Sequence, residues 1–156
     1  DWSSDVCSSD LRGYVQAMTE AGIPVRENWI LRMSTVNYFT VHAYIRQLLE
    51  PEDRPNAIFA CCDIYGMAAI NAAQQLGLRV PEDLSVIGFD NTNISSMTNP
   101  TLPTVARPIS QIGSQTCELL IAKIRTHQPV NQHIILDTEL IIRNSTRPKN
   151  IGVSVF

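Results

Sequence analysis

Two aspartates stand where an apolar, strand-length run meets the next element: Asp63 after Ala57 to Cys62, and Asp90 after Leu84 to Phe89. If both runs are strands of one parallel sheet, both acids fall on the edge where such sheets gather ligands. A carboxylate there accepts paired hydrogen bonds from neighbouring hydroxyls of a sugar or from ring nitrogens of a base, which orients a ligand without any reaction. Each acid also has a plainer reading. Asp63 is well placed to cap the helix after it, the commoner role for an acid at that point. Asp90 has no obvious helix after it, so ligand contact is the better reading there. Cys62 either faces the same crevice or fills the core as a small apolar side chain. Arg107 comes after a short strand, where its fork meets either a ligand oxygen or a carboxylate of the protein. Thr35, Val36 and Tyr38 either wall the crevice or serve core or surface, and Trp29 reads as core more readily than as a stacking platform.

Signatures of catalysis are missing from the sequence. It has no G-x-G-x-x-G after a strand, no Walker loop, no G-x-S-x-G and no H-x-x-x-H. His42, His127 and His133 fall in a helix, near a helix end and beside a strand, so no nucleophile and base pair up, and each reads as a surface or capping residue. The expectation is a binding protein that uses no cofactor and no metal.

The elements that must position these residues alternate between helix-like and strand-like, the pattern of an α/β parallel sheet with flanking helices. Residues 14–21 form helix and stop at Gly22, with Pro24 beyond; 29–33 read as a short strand; 38–49 carry Tyr38, Val41, Ile45, Leu48 and Leu49 at helical spacing. A Pro-rich loop precedes the strand over 57–62, the helix over 64–76 closed by Gly77, and the strand over 84–89. Residues 91–103 read as a loop with at most a short helical turn. A strand over 104–106, a helix over 109–124 and two terminal strands over 134–136 and 140–143 complete the fold, with a weakly held tail over 147–156.

The 156 residues are 44% apolar and 17% charged, which excludes disorder and gives a core without disulfide or metal staples. No basic block offers a duplex-binding surface, and no apolar stretch approaches a membrane span or a secretory signal core. The chain reads as soluble and cytoplasmic. Residues 1–11, DWSSDVCSSDL, resemble a translated sequencing adaptor, the alternative being a disordered polar tail, and are set aside as non-native. Without them the net charge of −3 disappears, because three of the fifteen acids lie there against none of the twelve bases. The remaining Cys61, Cys62 and Cys117 make neither a disulfide framework nor a zinc spacing, which fits a reducing compartment.

Residues 54–108 resemble the effector-binding core of the LacI/GalR family of bacterial transcription regulators. The most specific pieces are GLRVPEDLSVIGFDN and TLPTVARP, the latter matching the family's Leu-Thr-Thr-Val-x-Gln-Pro crossing between subdomains. RPNAIFACCD, RGYVQAMTEAGIP and ELIIRNST extend the likeness over 12–146. The resemblance implies a type I periplasmic-binding-protein-like fold, mostly its C-terminal subdomain and therefore truncated. It implies a homodimeric sensor of a sugar-like effector that modulates operator binding through an upstream helix-turn-helix absent from this chain. A periplasmic sugar-binding protein of an uptake system is the alternative, and a signal peptide in place of the helix-turn-helix would identify it.

By the same resemblance Asp90 aligns with the acid that contacts the effector in many members, and Cys62, Asp63 and Arg107 are the further effector contacts expected beside it. Cys62 stands where sugar-binding members often carry Asn, and Arg107 where Gln is frequent. The family's effector-binding Arg corresponds to Asp10, so this chain by itself is expected to bind effector poorly. Dimer contacts map to the helix over 64–76, where Ala68, Ala69, Ala72 and Ala73 make a small-residue face, and to Met97 in the region 93–97. Helix–sheet packing would use the same alanines. A structure of this chain is expected to expose apolar surface.

Overall fold

The computed structural model describes residues 2–32, 37–126 and 132–147, with side chains from residue 9 onward. Helix α1 (Trp2–Glu20) leads into a 3-10 turn (Glu27–Trp29) and helix α2 (Tyr38–Leu49). Strand β1 (Ala57–Phe59), helix α3 (Asp63–Gln75) and strand β2 (Ser85–Phe89) come after it. Next are the one-turn helix α4 (Asn93–Met97), strand β3 (Thr104–Ala106), helix α5 (Ile109–Thr126) and strand β4 (Glu139–Ile141). The sheet order is β1-β2-β3-β4. The first three strands are parallel and β4 is antiparallel to β3, an edge addition that open α/β sheets commonly carry.

Local chemistry sets the helix limits. Asn37 starts α2 by accepting the N–H groups of Phe39 and Thr40 on its side-chain oxygen. Gly22 and Gly77 stop α1 and α3 at φ +66° and +75°, and each stop carries the paired closing bonds of a left-handed cap: Ile23 N–H to Met18 O and Gly22 N–H to Thr19 O, then Leu78 N–H to Ala73 O and Gly77 N–H to Gln74 O.

The core lies between α2, α3 and the sheet. Val41, Ile45 and Leu49 of α2 pack on Ala68, Ala69, Ala72 and Ala73 of α3, with Ile70, Leu84, Val86 and Leu102 completing the cluster. The four alanines are wholly buried, and their small side chains let the two helices approach closely. The far end of the chain is stitched to β2. Ser145 accepts the Val86 N–H on its carbonyl at 2.8 Å and donates its hydroxyl to the Val86 carbonyl at 2.7 Å.

Several expectations need correction. The strand expected over 29–33 is a 3-10 turn and then extended chain, and Met33 lies outside the described residues. Trp29 is half-buried rather than core, and its ring carries the Arg26 guanidinium at 4.3 Å, itself paired with Asp53 at 2.6 Å. No regular element occupies 134–136, where Ile134 and Ile135 are exposed without a neighbouring strand, so the terminal strand pair reduces to β4. Of residues 1–11, set aside as non-native, residues 2–11 contain no Pro or Gly to stop a helix and form the start of α1. The proposed tail lies outside the described residues except for Arg147.

Helix α5 has no buried residue, and Ile109, Ile112, Leu120 and Ile124 are all exposed on it. This is the apolar surface expected from the sequence.

Candidate functional site

Asp90 directly follows β2, whereas β1 ends at Phe59, short of the strand expected over 57–62, so that Asp63 comes four residues beyond it as the first residue of α3; both acids nonetheless lie past the carboxyl ends of adjacent parallel strands. Their surroundings differ sharply. Cys62, with extended φ and ψ of −157° and 158°, is the residue that caps α3, so Asp63 is its first helical residue and not its cap. The Asp63 side chain turns inward and is 1% exposed. Its Oδ1 accepts the Thr104 hydroxyl at 2.6 Å, and its Oδ2 accepts the Thr92 N–H at 2.6 Å and the Thr92 hydroxyl at 2.9 Å. All three bonds go to the chain itself, which corrects the expectation that this acid faces a ligand. One buried carboxylate thereby ties the start of α3 to the segment after β2 and to the start of β3.

Backbone packing closes around it. A Cβ placed on Gly88 would sit 2.5 Å from Asp63 Oδ1 and 2.8 Å from Leu102 Cδ2, and one on Gly66 would sit 2.6 Å from Leu102 Cδ2. Only glycine leaves room for the carboxylate and Leu102 together. The Thr104 hydroxyl also accepts the Asn91 N–H at 3.2 Å. Arg143 reaches in from beyond β4, donating to Asn91 Oδ1 and to the Leu102 carbonyl, each at 2.8 Å.

That network holds the turn on which Asp90 sits. Asp90 and Asn91 take φ of +103° and +52°, a left-handed pair of non-glycine residues that is strained unless its surroundings enforce it. The Asp90 N–H is fixed to the Val105 carbonyl at 2.9 Å, and its carboxylate reaches the open rim with a quarter of its side chain exposed. Arg107, after β3, places Nη2 2.6 Å from Asp90 Oδ1 with 44% of its own side chain exposed. Of the two partners the sequence allowed Arg107, the structure pairs it with the protein carboxylate.

Cys62 lies on the same rim, half-buried. Its thiol is lowered from 9.0 to about 7, chiefly by the hydrogen bond from Cys61, with help from the N–H groups of Tyr65 and Ile64 and against burial and the Asp90 charge. Donor fork, acceptor carboxylate and polarised thiol thus share one edge, a set whose chemistry suits hydrogen bonding to hydroxyl and carbonyl oxygens.

The remaining residues fall elsewhere. Ala68, Ala69, Ala72 and Ala73 are consumed by the core of the chain, which corrects their reading as a dimer face, since a fully buried side chain presents nothing to a twin. Met97, at the end of α4, is 77% exposed. Tyr38 is the first residue of α2 and accepts the Asn71 amide on its hydroxyl at 2.8 Å, which places it between helices. His42 is half-buried and lies 5.8 Å from the Tyr38 ring, whereas His133 is exposed. Thr35, Val36 and His127 lie outside the described residues. Sequence reasoning missed Asn91, Thr92, Thr104 and Arg143. Thr104 gave one usable signal, a hydroxyl in an apolar run that needs a buried partner. Among the described residues no group of three His, Cys, Asp or Glu could hold a metal, and no helix is long and apolar enough to cross a membrane.

Residues 8–146 match the family model described as periplasmic binding protein-like domain. The chain is 39% identical over 142 residues to the HTH-type transcriptional regulator DegA of Bacillus subtilis, covering 90% of this chain and 41% of that protein. A solved regulatory protein of the LacI family from Chloroflexus aggregans superposes with a TM-score of 0.77 at 36% identity, over 88% of this chain and 49% of that one. The transcriptional regulator CelR in complex with cellobiose superposes with a TM-score of 0.79 at 30% identity, over 86% of this chain and 41% of that one. The chain thus spans about two-fifths of the length of the curated relatives it matches. With the parallel sheet and the family match in agreement, the chain belongs to the periplasmic binding protein-like domain family, in the form that LacI-type transcriptional regulators carry.

Proposed function

We propose that this domain is the ligand-sensing part of a LacI/GalR-type regulator, that its effector is a small sugar-like metabolite, and that effector binding modulates operator recognition by a helix-turn-helix in the same protein. It works in the cytoplasm as a homodimer and catalyses no reaction. The observation that carries this reading is Asp90, held at φ +103° on the open rim and paired with the half-exposed Arg107 at 2.6 Å. A carboxylate and a guanidinium so disposed accept from one sugar hydroxyl and donate to its neighbour, and the backbone strain at Asp90 is of the kind found where a ligand group must be presented. The cellobiose complex of CelR supports a sugar as the class of ligand. Cys62 lines the same rim, and the exposed Met97 belongs to the dimer contact.

Effector control requires different affinities for two arrangements of the protein, since equal affinity shifts nothing. The test is calorimetric titration of a panel of mono- and disaccharides, cellobiose included, against the protein expressed from its full coding sequence. One sugar is expected to bind, with affinity at least about tenfold weaker in Asp90→Asn, the loss of one charged hydrogen bond. A sugar bound equally by both proteins would contradict the reading.

A further inference from the structure

We propose that Cys61 and Cys62 form a peroxide-responsive thiol pair, a reversible modification site on the rim beside Asp90 and Arg107. Adjacent cysteines occupy the junction between β1 and the 13-residue helix α3, and neither is in a disulfide. Cys61 is exposed and reachable by a small oxidant, whereas Cys62 is half-buried at the capping position of α3, where helix N–H groups and the neighbouring thiol favour its anion. Nucleophile and resolving thiol are thus supplied by consecutive residues.

The chemistry needs an organic hydroperoxide or hydrogen peroxide as oxidant. The Cys62 thiolate attacks the distal peroxide oxygen, forming an S–O bond and breaking the O–O bond. The sulfur loses two electrons to become a sulfenic acid, and the peroxide is reduced to an alcohol or water. Cys61 sulfur then attacks the Cys62 sulfur, forming S–S and breaking S–O, and the departing hydroxide takes the Cys61 proton as water. Consecutive α-carbons are about 3.8 Å apart across a trans peptide, short of the roughly 4.4–6.8 Å that relaxed disulfides adopt. The ring formed is therefore strained, and two equivalents of a small thiol reopen it readily, which makes the modification reversible. Oxidation removes negative charge next to Asp90 and locks the two residues that lead into α3. The proposal stands on the thiol pair alone and holds whether or not the rim binds a sugar.

Lowering a thiol from 9.0 to about 7 raises its thiolate fraction at neutral pH from about 1% to about half, while the weaker nucleophilicity of a more acidic thiol takes back much of the gain. The net expectation is oxidation at Cys62 about fivefold faster than at the exposed Cys117. The test treats the reduced chain at pH 7 with limiting hydrogen peroxide, and tracks each cysteine by peptide mass mapping. The peptide holding Cys61 and Cys62 is expected to lose two hydrogens before Cys117 changes, to regain them with dithiothreitol, and to lose its kinetic advantage in urea. In Cys61→Ser the sulfenic acid on Cys62 is expected to persist and be trapped by dimedone. Oxidation at Cys62 no faster than at Cys117, or an advantage that survives in urea, would overturn the proposal, and the wild-type comparison decides it even if the variant does not fold.

Discussion

The segments that leave the adjacent strands β1 and β2 each carry an aspartate, yet the two aspartates are used in opposite ways. Asp63 is buried and answered by two threonines; Asp90 stands on the rim in a left-handed turn and meets a half-exposed arginine. The path of the chain beyond each strand makes the difference. After β1 the chain winds into α3, which carries Asp63 back over Gly88 and Leu102 into the packed layer. After β2 it turns out through two residues of positive φ, and only a five-residue helix comes next. One acid builds the edge, and the neighbouring acid is presented by it.

Removing the buried acid is expected to have the largest effect. Asp63→Ala takes the acceptor from the wholly buried Thr104 hydroxyl and from the N–H and hydroxyl of Thr92, and should cost roughly 3 kcal/mol or more in equilibrium urea unfolding, or prevent folding. Gly88→Ala comes next, because its new methyl presses on Asp63 Oδ1 and Leu102, at about 1–3 kcal/mol. In the Asp63→Ala background part of that clash disappears, so the two losses should fall short of additivity by about 1 kcal/mol. Additive losses would mean the glycine is not there for the carboxylate.

The smallest effect belongs to an exposed pair that serves as a benchmark for the rim. Arg79 grips Asp83 with Nε at 2.9 Å and Nη2 at 2.8 Å, and the hydrogen bond from that guanidinium, helped by the Arg79 N–H, holds the Asp83 carboxyl well below the usual carboxylate range. A carboxyl lowered by folding stabilises above its unfolded value of about 4 and loses that contribution as the pH falls toward the folded value. Solvent screens this pair, so Asp83→Asn should barely move the thermal midpoint at pH 7, and the residual difference from wild type should vanish in acid. A large loss at pH 7 would show that exposed pairs matter more here than the contrast between the two strand ends allows.

How far the sequence revealed this contrast depends on the range of each interaction. Periodicity and stop residues act within a turn or two, so α2 and β3 have their expected limits, and Gly22 and Gly77 end helices as expected. Asp63 is misread from local pattern because its partners, Thr92 and Thr104, stand 29 and 41 residues away and leave no local spacing to find. The alanine stripe on α3 and the isoleucines on α5 both announce faces that favour burial, but periodicity does not name the partner. The first is buried under α2, while the second is open. Asp90 is legible from local pattern, as an acid that closes a strand with no obvious helix after it, and the LacI/GalR likeness adds the expectation that it meets an effector.

The central claim, that adjacent strand ends divide scaffold from presentation, is tested most directly by urea unfolding of Asp63→Asn and Asp90→Asn side by side at pH 7. The amide keeps the shape of each side chain and removes only its charge and part of its accepting capacity. The account predicts a loss of about 2 kcal/mol or more at Asp63 and less than about 1 kcal/mol at Asp90. Equal losses, or the larger loss at Asp90, would contradict it.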